Sequence, residues 1–291
     1  MAEIIQKDGT WTFDGDTVRI VPGSDKGVSL LRRTLGEVAV PLAALAGISF
    51  EAGKKAGRLR LRLRDGADPL MQITGGKLED GSDPYQLSVA NDRSGVAEYF
   101  VDEVRNALLL DQVAAGPADH YLLPGPALPI TIGAGDGTVT FDGERIRLEW
   151  NWKTEESKSA GGARTIALAD VDAVEWLPAA GLENGYLRFR VAKVTATPPA
   201  KYDPHAVELW GFRKDPLMAL VAAAVVARMP HPRATPADIP APPAVPAAPA
   251  ADGADHDALL RRLRELGELH GAGILTDEEF ATAKQAVLKR L

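Results

Sequence analysis

The residues whose type and spacing most suggest chemistry are four arginines, Arg58, Arg60, Arg62 and Arg64, which alternate with leucines in GRLRLRLRD from Gly57 to Asp65. In an extended strand alternate residues share a face about 6.6 Å apart, so Leu59, Leu61 and Leu63 enter a core while the guanidinium groups form a row outside. Such a row binds anions: successive phosphates, acidic side chains or an anionic membrane. Lys54 and Lys55 precede it, and Arg32 and Arg33 lie upstream; together these eight residues make up the candidate anion or partner surface. The competing reading, and the favoured one, is a solvated or ion-paired outer face, because a half-buried strand must present soluble groups and arginine stems also cover apolar neighbours.

No other constellation reaches this level. The chain has no cysteine, so it has no disulfide framework and no thiolate nucleophile or ligand. Its histidines, at 120, 205, 231, 256 and 270, never take metal-ligand spacing. Gly133-Ala-Gly135-Asp-Gly137 is glycine-rich but precedes an expected strand, whereas a dinucleotide fingerprint opens a helix. Neither a phosphate loop nor a nucleophile elbow occurs. The expectation is a protein without catalytic residues, metal or cofactor, and not an enzyme. Trp150-Asn-Trp152 invites base stacking. However, Ile146, Leu148, Trp150 and Trp152 share one strand face, and that regularity favours core. Lys153 to Gly162 reads as a mixed-charge, mobile surface loop.

Composition sets the frame for these residues. At 291 residues the chain suits about two domains. Hydrophobic residues at 45% and charged residues at 25% place it among soluble globular proteins. A net charge of -7 argues against a general nucleic-acid binder, which needs an excess of Lys and Arg to release counterions. The N-terminus lacks the features of a secretory signal. The longest apolar run, Leu217 to Ala227, is short of the roughly 18 to 20 residues of a membrane span and reads as a buried helix. The expected location is cytoplasmic, with a peripheral place at the inner face of the membrane as the alternative.

The elements that position the arginines occur twice. Gly9-Thr-Trp-Thr-Phe-Asp-Gly-Asp-Thr-Val-Arg-Ile20 returns as Gly137-Thr-Val-Thr-Phe-Asp-Gly-Glu-Arg-Ile-Arg-Leu148. The register continues: Gly47-Ile-Ser-Phe50 matches Ala173-Val-Glu-Trp176, Gly57-Arg-Leu-Arg-Leu-Arg62 matches Gly185-Tyr-Leu-Arg-Phe-Arg190, and Asp83-Pro84 matches Asp203-Pro204. Each copy opens with an Asp-Gly hairpin and continues in short alternating strands. Each closes with a helix, read over Gly95 to Leu108 with Val96, Tyr99, Phe100, Val104 and Leu108 as its apolar stripe, and over Pro216 to Arg228.

Strands closed by a helix, twice over, resemble the DUF4429 family of bacterial proteins. The Phe-Asp-Gly hairpins, the apolar strands before Gly47 and Ala173 and the closing helices carry the resemblance, over roughly 9–110 and 136–229. It implies a pleckstrin-homology-like (PH-like) fold, a small barrel that in related proteins is a binding platform. At the C-terminus, Leu259, Leu263 and Leu266 line one face, with Leu260 and Leu269 alongside, of a helix that Gly271-Ala-Gly273 stops. Thr276-Asp-Glu-Glu279 is a capping box opening a second helix, with Phe280, Val287 and Leu291 on its apolar face. This tail resembles the short C-terminal domain, SHOCT, on Leu263, Glu265, Leu266, Gly273, Ile274, Thr276, Glu279, Phe280 and Lys284. A hairpin below about 40 residues without metal or disulfide needs a partner to bury its leucines.

The expected class is α+β, mainly β: two tandem PH-like small barrels or sheets, each closed by a helix, plus a two-helix hairpin on a Pro/Ala-rich linker. The expected divisions are a first copy over 1–112, a joint over 113–135, a second copy over 136–229, a semi-rigid extended linker over 230–255 and the hairpin over 256–291. The expected function is a non-enzymatic interaction or scaffold protein. Leu259, Leu263, Leu266, Leu269, Ile274, Phe280 and Val287 would dock another protein or a second copy of the chain. The alternative is an anionic lipid or ligand binder working through the basic set.

Overall fold

The computed structural model describes residues 1–114 and 116–234. The SHOCT-like tail, with Leu259, Leu263, Leu266, Leu269, Ile274, Phe280 and Val287, lies outside the described residues.

The first copy begins with four antiparallel strands, β1 (Ala2–Gln6), β2 (Gly9–Phe13), β3 (Thr17–Pro22) and β4 (Val38–Pro41), in that order across the sheet. A short helix, α1 (Leu30–Leu35), is inserted between β3 and β4. A second sheet follows from β5 (Leu45–Glu51), β6 (Ala56–Leu63) and β7 (Gln86–Ala90), with α2 (Pro69–Thr74) between β6 and β7. The helix α3 (Ser94–Leu110) closes the copy and packs against β1, β5 and β7. The second copy repeats the plan: β8 (Ile130–Ala134), β9 (Gly137–Phe141), β10 (Arg145–Trp150), α4 (Glu156–Ser159) and β11 (Arg164–Ala167) come first. Then come β12 (Val171–Leu177), β13 (Gly185–Val191), β14 (Ala206–Leu209) and α5 (Met218–Val226). The result is mainly β, with four small antiparallel sheets and few helices. No helix among the described residues is long and apolar enough to cross a membrane.

The expected hairpins form for the expected reason. Gly15 and Gly143 take φ of 119° and 115°, which a side chain would strain. Beside them Asp14 Oδ1 accepts from the amides of Asp16 and Thr17, and Asp142 Oδ1 from those of Glu144 and Arg145. These amides hold both carboxyls below the usual carboxylate range.

Three expectations are corrected. The strands do not close into a barrel: each copy is two separate sheets, and no backbone ladder joins β4 to β5 or β7 to β1. Side chains cross that last gap instead, with Gln6 Oε1 and Asp8 Oδ2 accepting from the edge amides of Ala90 and Ser88. Each copy also starts one strand earlier than its hairpin, so the segment read as a joint over 113–135 contains β8 and buries Ala118 and Leu123 in the first core. One member of the α3 stripe falls outside it: Phe100 and Val104 are buried and Val96 and Leu108 pack partly buried on the core, but Tyr99 is 54% exposed and Ala97 and Val101 take the buried face instead. Residues three and four apart share a helix face, as Ala97, Phe100, Val101 and Val104 do.

The copies share their cores unequally. Leu31 and Leu70, from α1 and α2 of the first copy, belong to the second copy's core. There α2 packs against α5 and β12. Asp68 caps α2 by accepting from Leu70 N and Met71 N, Pro69 follows at the first helical position, and Gly75 ends it left-handed. Because α5 is thus covered from several sides, Met218 through Val225 are all buried, and a helix apolar all round has no wet face to spare.

Candidate anion-binding cleft

The leucines of GRLRLRLRD lie as their spacing requires, Leu59 and Leu61 buried and Leu63 partly so, with Arg58, Arg60 and Arg62 on the opposite face of β6 and Arg64 just past its end. Each arginine meets a different neighbour. Arg58 pairs with Asp80 at 2.9 Å, and Arg60 with Asp83 at 3.8 Å. Arg62 donates to the carbonyl of Ala46, and Arg64 to the carbonyls of Ala43, Gly116 and Pro117. The last cluster ties β6 to the segment leaving the first copy, which makes Arg64 partly a structural residue.

Three of the four line an open cleft of about 1100 Å³ beside the β5–β6 sheet: Arg60, Arg62 and Arg64. α3 contributes Arg105, Leu108 and Leu109, and the end of α2 contributes Met71 and Gln72. Arg105 donates twice to the carbonyl of Ile48 on β5. Among the described residues Arg62, Arg64 and Arg105 have no carboxylate partner, whereas of the three acids at the cleft Asp83 is engaged by Arg60 and Asp65 by Arg233, which leaves Glu51 alone against three arginines. The local excess of positive charge therefore rests on Arg62 and Arg105. Arg105 carries no signal in the sequence beyond an arginine on the polar side of a helix; only the packing of α3 on β5 brings it to β6.

The rest of the basic set is dispersed. Arg32 is a correction: it is 3% exposed and pairs with Asp8 at 2.8 Å, so it offers nothing to a surface ligand. Arg33 is exposed on α1, and Lys54 and Lys55 are exposed in the β5–β6 turn, at the far end of β6 from Arg64.

The Asp8 pair has a counterpart that sequence reading passed over. In the second copy Asp136 holds the equivalent turn position, and Lys158, on α4, reaches it at 2.6 Å with both side chains nearly sealed from solvent. Asp136 Oδ1 accepts from Glu208 N on β14, as Asp8 Oδ2 does from Ser88 N on β7. Burial pushes the Asp136 carboxyl up and the Lys158 ammonium down, and the bond between them opposes both shifts. The segment from Lys153 to Gly162, read as a mobile loop, is thus anchored at its centre. Trp152 is a further correction: β10 ends at Trp150, and Trp152 is 88% exposed with Lys153 Nζ 5.4 Å from its ring. The period-2 pattern does not extend past the strand that generates it.

Among the described residues no three His, Asp or Glu side chains are grouped to hold a metal ion. The two copies of paired antiparallel sheets, each closed by a helix, with an arginine-lined cleft on the first, define a tandem-repeat protein of mainly β structure. The chain belongs to the DUF4429 family, described as a domain of unknown function, whose model matches residues 11–105 and again 139–226. The model of the short C-terminal domain, SHOCT, matches residues 261–288. No curated protein matches the chain.

Proposed function

We propose that this is a non-enzymatic interaction protein whose tandem body, PH-like in each copy, recognises an acidic partner through the first copy's cleft. The observation that carries the reading is the convergence of Arg60, Arg62 and Arg105, from two elements, on one open cleft in a chain of net charge -7. A local excess of guanidinium groups focuses attraction on carboxylates or phosphates. The four-plus-three strand order with a closing helix supports the PH-like assignment. The SHOCT match supports a second role, docking or self-association through the leucine stripe of the tail, which would multiply weak contacts by raising effective concentration.

The test is fluorescence anisotropy of a labelled poly-glutamate peptide on the full chain at low and raised salt, beside sedimentation with anionic vesicles. Salt-sensitive peptide binding should weaken about tenfold in the Arg62→Glu/Arg105→Glu variant. Unchanged binding in that variant would remove the cleft from the account. Vesicle binding without peptide binding would replace the acidic protein with a membrane surface.

A further inference from the structure

The two copies repeat one corner, where the edge strand of the three-stranded sheet meets the closing helix: β5 with α3 in the first, β12 with α5 in the second. In the second copy that corner is filled. The helix α2 lies against both α5 and β12, with Leu70 2% exposed inside the second core and Ile73 beside it. In the first copy the corner opens into the cleft, where Leu108 is half-buried and Leu109 is 76% exposed.

Charge distinguishes the corners in the same way. On β12, Glu175 sits opposite Arg188 and reaches Arg188 at 3.6 Å and Arg190 at 3.4 Å, so the second copy neutralises its own arginines. The position opposite Arg60 on β5 is Ser49, which has no charge to offer. The filled corner accepts Pro69-Leu-Met-Gln-Ile-Thr74, an uncharged helix. Among the described residues no helix fills the open one, and its carboxylates, Glu51, Asp65 and Asp83, leave Arg62 and Arg105 without an ion-pair partner.

We infer that the first copy's cleft docks a short amphipathic helix of a partner protein, with leucine-type side chains against Leu108 and Leu109 and carboxylates on Arg62 and Arg105. This rests on the recognition reading above and specifies its partner. The second corner supplies the template, one to two turns of helix held by apolar side chains. Ser49 where the second copy has Glu175, together with Arg62 and Arg105 that pair with no carboxylate among the described residues, supplies the reason that the partner must be acidic. Helix-in-groove recognition of this kind uses anchors spaced by three and four residues.

The experiment is selection of displayed peptides of about 12–15 residues, long enough for marginal helicity, on the full chain. The expected winners place leucine-type residues three or four apart, carry Glu or Asp beside them and gain helicity on binding. Ser49→Glu, which restores the carboxylate that the second copy has, should weaken them about tenfold, as should Leu109→Asp. Arg58→Ala, at the far end of β6, should leave binding unchanged. Winners that are acidic but extended, or indifferent to Leu109→Asp, overturn the helix and leave the acidic-partner reading standing. Winners without acidic residues, or none at all, overturn both.

Discussion

Lys158 and Asp136 form the most sequestered ion pair among the described residues, and the duplication places Arg32 and Asp8 at the same point of the first copy. A charge left alone in such a place is costly. Replacing Lys158 with Ala should cost about 3–5 kcal/mol in urea denaturation, because Asp136 keeps its burial and loses its counterion. Arg58→Ala breaks the half-exposed pair with Asp80 and should cost less than about 1 kcal/mol. Comparable losses in the two variants would contradict the assignment. His205 gives a pH signature. Burial holds its pKa below the ordinary 6.5, against the pull of Asp203 and with a further push from Arg164. Its folded pKa is depressed, so the neutral ring favours the fold above about pH 6.5, and that contribution is lost as pH falls towards the folded pKa. Stability should therefore decline on acidification through this window, and His205→Gln should flatten that part of the profile.

The hairpins and the inserted helix test the argument at the level of elements. Gly15→Ala places a side chain at φ 119° and should cost about 1–3 kcal/mol, measured by thermal unfolding. A neutral result would mean that the turn relaxes to another type. The helix α2 belongs to the first copy in sequence and to the second in packing. Leu70→Ala should therefore cost about 2–5 kcal/mol, and hydrogen exchange should accelerate in α5 and β12 more than in α3. Acceleration confined to the first copy would show that α2 is no part of the second core.

For the whole molecule, a shared core predicts shared unfolding. Calorimetry of the body should give one transition, and a fragment starting at Leu128 should fail to fold, since without α2 it exposes an apolar face of α5. A stable isolated second copy would contradict this. The tail makes a separate prediction about assembly: light scattering should show an oligomeric full chain and a monomeric chain ending at Ala234. Leu266→Asp with Phe280→Asp should reproduce the truncation. Equal masses for all three would remove the tail from assembly.

The sequence alone determined the duplication, the Asp-Gly hairpins, the inward leucines of β6 and a buried α5, because each follows from local periodicity or from a backbone angle that only certain residues take readily. The same locality misled at Trp152, where alternation was carried beyond the end of a strand, and at Arg32, where a cation next to another cation resembled a surface. Only the tertiary structure decided that Arg32 and Lys158 are buried counterions, that Arg105 joins Arg60 and Arg62, and that α2 serves the other copy. These depend on which elements meet across long stretches of chain, and two arginines on a strand and a helix carry no mark of the surface they will share.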